Sequence, residues 1–107
     1  MPVDLTKENC DAEVKESALP VVVDFWGPAC VPCMALMPKF LEIAEKYDGK
    51  VKFCKVDTSQ NKRVAISFKV MSLPTILFWK DGAEAARLGG DNVTEESVTE
   101  KIEELIA

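Results

Sequence analysis

Apolar and polar positions along the chain switch period several times, and each switch marks an element. The spacing predicts an amphipathic helix over residues 8–17, with Cys10 and Val14 on one face at i, i+4. After Pro20 the run Val21-Val22-Val23-Asp24-Phe25-Trp26 is almost continuously apolar, which suits a parallel strand covered on both faces. From Pro32 to Tyr47, Leu36, Met37, Phe40, Leu41, Ala44 and Tyr47 make a helical stripe. Pro38 inside it is expected to kink the helix, and Asp48-Gly49 ends it. Val51 to Val56 reads as a strand, and Thr58-Ser59 precede a shorter helix holding Val64, Ala65, Ile66 and Phe68. Leu73-Pro74 interrupts before a strand at Thr75–Trp79. Asp81-Gly82 is a hairpin signal, with Ala83 to Leu88 returning antiparallel until Gly89-Gly90 breaks the strand. Thr94 can cap a last helix whose Val98, Ile102, Leu105 and Ile106 face inward.

The order is therefore βαβαβ, a β-hairpin and a helix, with a short extra strand at residues 2–5. It predicts an α/β fold with a central mixed β-sheet flanked by helices. At 107 residues without repeats, linkers or low-complexity tracts, the chain is expected to be one domain, 1–107.

Charge and composition remove several functions. Thirteen basic against eighteen acidic residues leave a net charge of −5 with no Lys/Arg cluster, which counts against nucleic acid and anionic membranes as partners. No segment approaches the roughly 20 apolar residues of a membrane span. Met1-Pro2-Val3-Asp4 lacks the basic-then-apolar pattern of a signal sequence, so a cytoplasmic location is expected, where thiols are mostly reduced. With no histidine, Ser-His and Cys-His nucleophile pairs and His-bearing metal sites are excluded. A four-cysteine zinc site would call for a second closely spaced pair, and only one exists, so no metal or cofactor is expected.

That one pair carries the chemistry. Cys30-Val31-Pro32-Cys33 falls where a strand gives way to a helix. Free N–H groups and the positive dipole end of a helix favour a thiolate, the reactive form, and a second thiol one turn on can close a disulfide upon it. Cys10 and Cys54 stand alone and read as small core hydrophobes. Two charges are out of place. Asp24 lies within the most apolar strand on the face of Val22 and Trp26, and burial would raise its proton affinity toward a range useful for proton transfer; otherwise it is an aspartate bonded to backbone at a strand end. Lys55 shares a face with Val51 and Phe53. Asp24 on a neighbouring strand is its expected counter-charge, unless the lysine stem snorkels to the sheet end.

Taken together, these residues resemble the thioredoxin family over nearly the whole chain. The likeness rests on joint spacing: Asp24 six residues before the first cysteine, Trp26 in the strand, Pro38 five residues after the second cysteine, Pro74 41 residues after it, Lys55 19 residues before Pro74, and the late Gly90. The resemblance implies a protein disulfide reductant and electron carrier. Cys30 would be the exposed attacking thiolate, Cys33 the buried resolving thiol, and together they would form the redox-active disulfide. Asp24, helped by Lys55, would move a proton to or from Cys33. Pro74 would follow a cis peptide bond, with Leu73 offering its backbone to an extended substrate segment. Ala29, Val31, Pro32, Leu73 and Gly90 would rim an apolar patch for target proteins. Implied partners are disulfide-bearing target proteins and a thioredoxin reductase or a dedicated donor reductase, with the chain acting as a monomer.

The chain departs from the family's usual Trp-Cys-Gly-Pro-Cys. Ala29 removes a broad aromatic contact, Val31 adds a branched side chain, and Gly27-Pro28 reshapes the preceding loop. Other readings are an oxidant or isomerase of the same fold, a non-catalytic binding module, and a glutaredoxin. The Pro-Tyr pair and basic glutathione site usual in that last family are missing.

Overall fold

A computed structural model describes residues 1–107. Five strands form one sheet in the order β1-β3-β2-β4-β5. They are β1 (Val3–Asp4), β2 (Val21–Trp26), β3 (Lys52–Asp57), β4 (Thr75–Lys80) and β5 (Ala83–Gly89). The helices are α1 (Val31–Lys46), α2 (Lys62–Ser67) and α3 (Glu95–Ile106). β3 runs parallel to both β1 and β2, whereas β4 is antiparallel to β2 and β5, so the sheet is mixed as predicted.

β2 is flanked by hydrogen-bonded strands on both sides and covered on both faces. Residues Val21 to Phe25 are wholly buried, which is why the run carries almost no polar residues. Alternation divides the core in two. Val22 joins Phe53, Ile76 and Phe78 beneath Phe40 of α1 and Ile102 of α3. Val21, Val23 and Phe25 join Cys54, Val56 and Leu77 on the opposite face, closed by Val14, Val64 and Phe68. Phe40 meets Phe53, and Phe68 meets Phe25, in edge-to-face contacts with centroids 5.6 and 5.8 Å apart.

The turns follow from local chemistry. Asp81 (φ 54°) and Gly82 (φ 80°) both occupy the left-handed region, as a two-residue type I′ hairpin requires. Thr94 caps α3 by accepting from the Ser97 N–H at 3.0 Å, and the Ser97 hydroxyl accepts from the Thr94 N–H at 2.9 Å. At the end of α2 the chain passes through Lys69 at φ 58°. Its N–H reaches the Ile66 carbonyl and the Val70 N–H reaches Ala65, a Schellman closure. Arg87 on β5 braces that closure by donating to the Phe68 and Lys69 carbonyls at 2.7 and 3.0 Å.

Two local expectations need correction. Instead of a helix over 8–17 there is a five-residue π-helical turn, Asp11–Lys15, widened by the bond from the Glu16 N–H to the Asp11 carbonyl. Upstream, the Asn9 side chain accepts from the Thr6 N–H and donates to the Asp4 carbonyl; downstream, Ser17 bonds Leu19 ahead of Pro20. Little chain is left between these two anchors. Along α1, Ile43 is in the core while Leu41 is only half-buried, because α3 packs beside α1 and widens the covered face toward Ile43. Pro38 lies on the exposed side, inside the sixteen-residue helix.

Truncating Phe40 to alanine is expected to cost about 3–5 kcal/mol of unfolding free energy, and Thr94→Ala about 1 kcal/mol through the lost cap. Urea denaturation measures both, with m-values unchanged if the native fold is kept.

Candidate active site

Three loops meet at the end of the sheet that carries the cysteine pair. The first leaves β2 at Trp26 and reaches α1 through Gly27-Pro28-Ala29-Cys30. Cys30 is the N-cap of α1, its backbone extended and its Sγ accepting from the Cys33 N–H at 3.3 Å. A proline at the second helical position loses nothing there, because its N–H would have no helical partner. One turn of helix thus brings the sulfurs together. Cys30 and Cys33 form a disulfide with Cα atoms 5.2 Å apart, Cys30 half-exposed and Cys33 fully buried.

The second loop approaches β4. The Leu73–Pro74 bond is cis. The Thr75 hydroxyl donates to the Ser72 carbonyl at 2.7 Å, tying the turn together. Leu73 comes close to the first loop, since a Cβ on Gly27 would lie 3.4 Å from its Cδ1. A side chain at position 27 would meet Leu73 in van der Waals contact. The third loop supplies Gly90 (φ 60°), whose N–H donates to the Pro74 carbonyl at 3.0 Å. The Leu73 N–H and carbonyl make no backbone hydrogen bond within the chain.

Of the rim positions read from the sequence, Val31 is 78% exposed, Ala29, Pro32 and Gly90 are exposed, and Leu73 is half-buried. Sequence reasoning missed two more apolar side chains in these segments: Met34, in the first turn of α1, and Met71, 96% exposed on the loop before Leu73. An isolated methionine in a sequence carries no signal of exposure, so only the fold reveals them.

Beneath this surface lies Asp24. It is wholly buried on the α1 side of the sheet, and neither carboxyl oxygen has a hydrogen-bond partner. Burial pushes its pKa up to about 7, against a smaller opposing pull from the Lys55 ammonium. Lys55 is directly in register with Asp24, but its ion partner is different from the one expected. Its Nζ lies 3.2 Å from Asp4 Oδ1, the residue in register on its other side, and 5.8 Å from the Trp26 ring centroid. An exposed carboxylate at the sheet edge can pair with the lysine while both keep part of their water, whereas pairing with Asp24 would desolvate two charges. The other two cysteines are free and buried. Burial raises both thiols, Cys54 to about 12, so neither is poised as a nucleophile.

A CxxC disulfide at a helix N-terminus, a buried carboxyl on the strand before it and a cis-proline on a loop at the same end of the sheet fit a dithiol–disulfide exchange domain. The thioredoxin family model matches residues 1–104. The chain is 44% identical over 96 residues to the thioredoxin of Peptoclostridium acidaminophilum, covering 90% of this chain and 87% of the relative. It is 38% identical over 103 residues to that of Acetoanaerobium sticklandii, covering 96% and 98%. Thioredoxin 1 of a Nostoc species is 40% identical over 86 residues, 80% of each chain. The chain belongs to the thioredoxin family. It is a thiol–disulfide oxidoreductase, and its relatives favour the disulfide reductant over the oxidant, the isomerase and the non-catalytic module.

The raised Asp24 pKa makes stability depend on pH. Below about pH 4 the carboxyl is neutral in both the folded and unfolded chain. Between its ordinary value of 3.8 and about 7 the unfolded chain sheds the proton while the folded one keeps it, so stability falls as pH rises. Above about 7 both states are ionised and the loss is complete. Relative to Asp24→Asn, the wild type is therefore expected to lose about 4 kcal/mol between pH 4 and pH 9. Denaturant melts of both proteins across that range measure the gap; a gap constant with pH would contradict the raised value.

Proposed function

We propose that the chain, as a single domain spanning 1–107, reduces protein disulfides by a two-step exchange in which Cys30 attacks and Cys33 resolves. The Cys30 thiolate attacks one sulfur of a target disulfide, forming a mixed disulfide and releasing the other target sulfur as a thiolate. Cys33 then gives its proton to the Asp24 carboxylate and attacks Cys30 Sγ. The second target thiolate leaves, and Cys30–Cys33 closes. Two electrons have passed to the target, whose thiolates take up protons. A thioredoxin reductase or a dedicated donor returns two electrons to the disulfide.

The observation that carries this reading is the asymmetry of the pair. Cys30 is accessible and receives an N–H from the start of α1, while Cys33 is sealed from solvent. A sealed thiol cannot give its proton directly to water, so an internal acceptor is needed. Asp24, at about 7, can hold that proton or release it near neutrality. Lys55 tempers the carboxyl from the adjacent strand.

Target docking falls to the rim. The free N–H and carbonyl of Leu73, on the loop before β4, suit main-chain hydrogen bonds to an extended target segment. Ala29, Val31, Pro32, Leu73 and Gly90 supply apolar contact around it. With Ala29 beside Cys30 in place of a broad aromatic, the surface leaves room for bulkier target side chains. A reducing, cytoplasmic setting and a role in electron transport and redox homeostasis go with this chemistry: Cys10 and Cys54 persist as free thiols there, and the active pair returns to the dithiol. The chain would act as a monomer.

Cys33→Ser, mixed with a disulfide-bearing protein, is expected to accumulate a mixed disulfide through Cys30 on non-reducing gels. Cys30→Ser should accumulate none, and trapping through Cys33 instead would reverse the roles. Asp24→Asn is expected to slow the resolving step by on the order of tenfold or more at pH 7. The deficit should narrow below pH 7, where the wild-type carboxyl is itself protonated and cannot accept; stopped-flow tryptophan fluorescence follows it.

A further inference from the structure

Three charged side chains stand in one row across three adjacent strands. Asp4 on β1 is in register with Lys55 on β3, and Lys55 with Asp24 on β2. Neighbouring strands lie about 4.8 Å apart, so each charge is next to the following one. Their solvation differs steeply: the Asp4 side chain is 75% exposed, Lys55 25%, and Asp24 not at all. One cation thus faces two carboxyl groups and is bonded to the outer one, at 3.2 Å. The inner one is left without a hydrogen-bond partner.

We propose that Asp4 is a positioning residue for the exchange reaction: by holding the Lys55 ammonium at the sheet edge, it keeps that charge away from Asp24 and preserves the buried carboxyl's hold on its proton. This rests on reading Asp24 as the proton acceptor for Cys33. Without Asp4 two effects act in the same direction. The lysine loses the partner that draws it outward, and the positive charge next to Asp24 is no longer offset. Both favour the Asp24 carboxylate.

The surroundings of Asp24 leave few competitors. From β4 it faces Ile76, and α3 presents Val98 and Ile102 to this core. The buried side of α1 carries Cys33 above Leu36 and Phe40, with Cys33 its one titratable group. On β3 the next charge on the Lys55 face is Asp57, which is engaged with the Ser59 N–H and hydroxyl. Asp4 acts mainly through Lys55, and most of its effect should be lost when Lys55 is neutral.

The test is the titration of the Asp24 carboxyl carbon by NMR in the oxidised protein, where Cys33 cannot titrate. Asp4→Asn is expected to lower the midpoint by about half a pH unit, a roughly threefold loss of proton affinity. Lys55→Met should raise it, and adding Asp4→Asn to Lys55→Met should lower it by much less than Asp4→Asn does alone. An unmoved midpoint in Asp4→Asn, or an equal fall without Lys55, would overturn the proposal. The pH profile of the resolving step in the reduced protein separates the two readings. If it follows the midpoint, the coupling acts on catalysis. If the midpoint moves and the profile does not, Asp24 is not the proton acceptor and Asp4 is not a positioning residue for the reaction, although the electrostatic link stands.

Discussion

Everything at the active end depends on β2 being the strand enclosed on every side. Its edges are bonded to β3 and β4 and its faces are covered by α1 and α3 on one side and by α2 and the π-helical turn on the other. A strand so enclosed cannot shift by one residue without turning its whole apolar set toward the wrong layer. That fixes where the chain leaves the sheet after Trp26, and hence where Cys30 caps α1. It also fixes Asp24 two residues before that exit, in register with Lys55. Through β4 the same strand locates Pro74, one residue before the Thr75 that pairs with Phe25.

Against that order, Asp24 is a local energetic fault. A buried carboxyl without a hydrogen bond penalises its ionised form by several kcal/mol, and an aliphatic residue would suit the packing better. Local destabilisation of this kind is common at sites where chemistry requires a group in an environment it would otherwise avoid. Here the environment brings a carboxyl to about 7, within reach of proton exchange at neutral pH. The cation in register with it is paired outward with Asp4, and its opposing pull is smaller than the effect of burial.

The rim is governed by different physics. Polar bonds hold its frame: Gly90 N–H to the Pro74 carbonyl, the Thr75 hydroxyl to Ser72, and Arg87 to the end of α2. The side chains it shows to solvent are mostly apolar, with Val31, Met34 and Met71 prominent. Backbone tied by these bonds, beside unbranched methionines, combines a fixed frame with an adaptable apolar surface.

Much of this was legible in the chain itself. Periodicity marked every strand and α1 and α3 within a few residues, because amphipathic order is written locally. The Asp81-Gly82 hairpin and the Thr94 cap were readable for the same reason, since each depends on residues within a turn. Cys30 and Cys33 stood out because their chemistry needs only one turn of helix between them. Asp24 was conspicuous as a charge in an apolar strand. Its unpaired state, the turning of Lys55 to Asp4, the approach of Gly27 to Leu73 and the exposure of Met71 lay beyond reach. Each depends on which strands become neighbours and how far water penetrates between them, and those are properties of the assembled sheet. Sequence alone determined which groups could react and on which elements they ride. Only the tertiary structure decided which charge meets which, because pairing is a contest between desolvation and attraction that is settled when the strands come together.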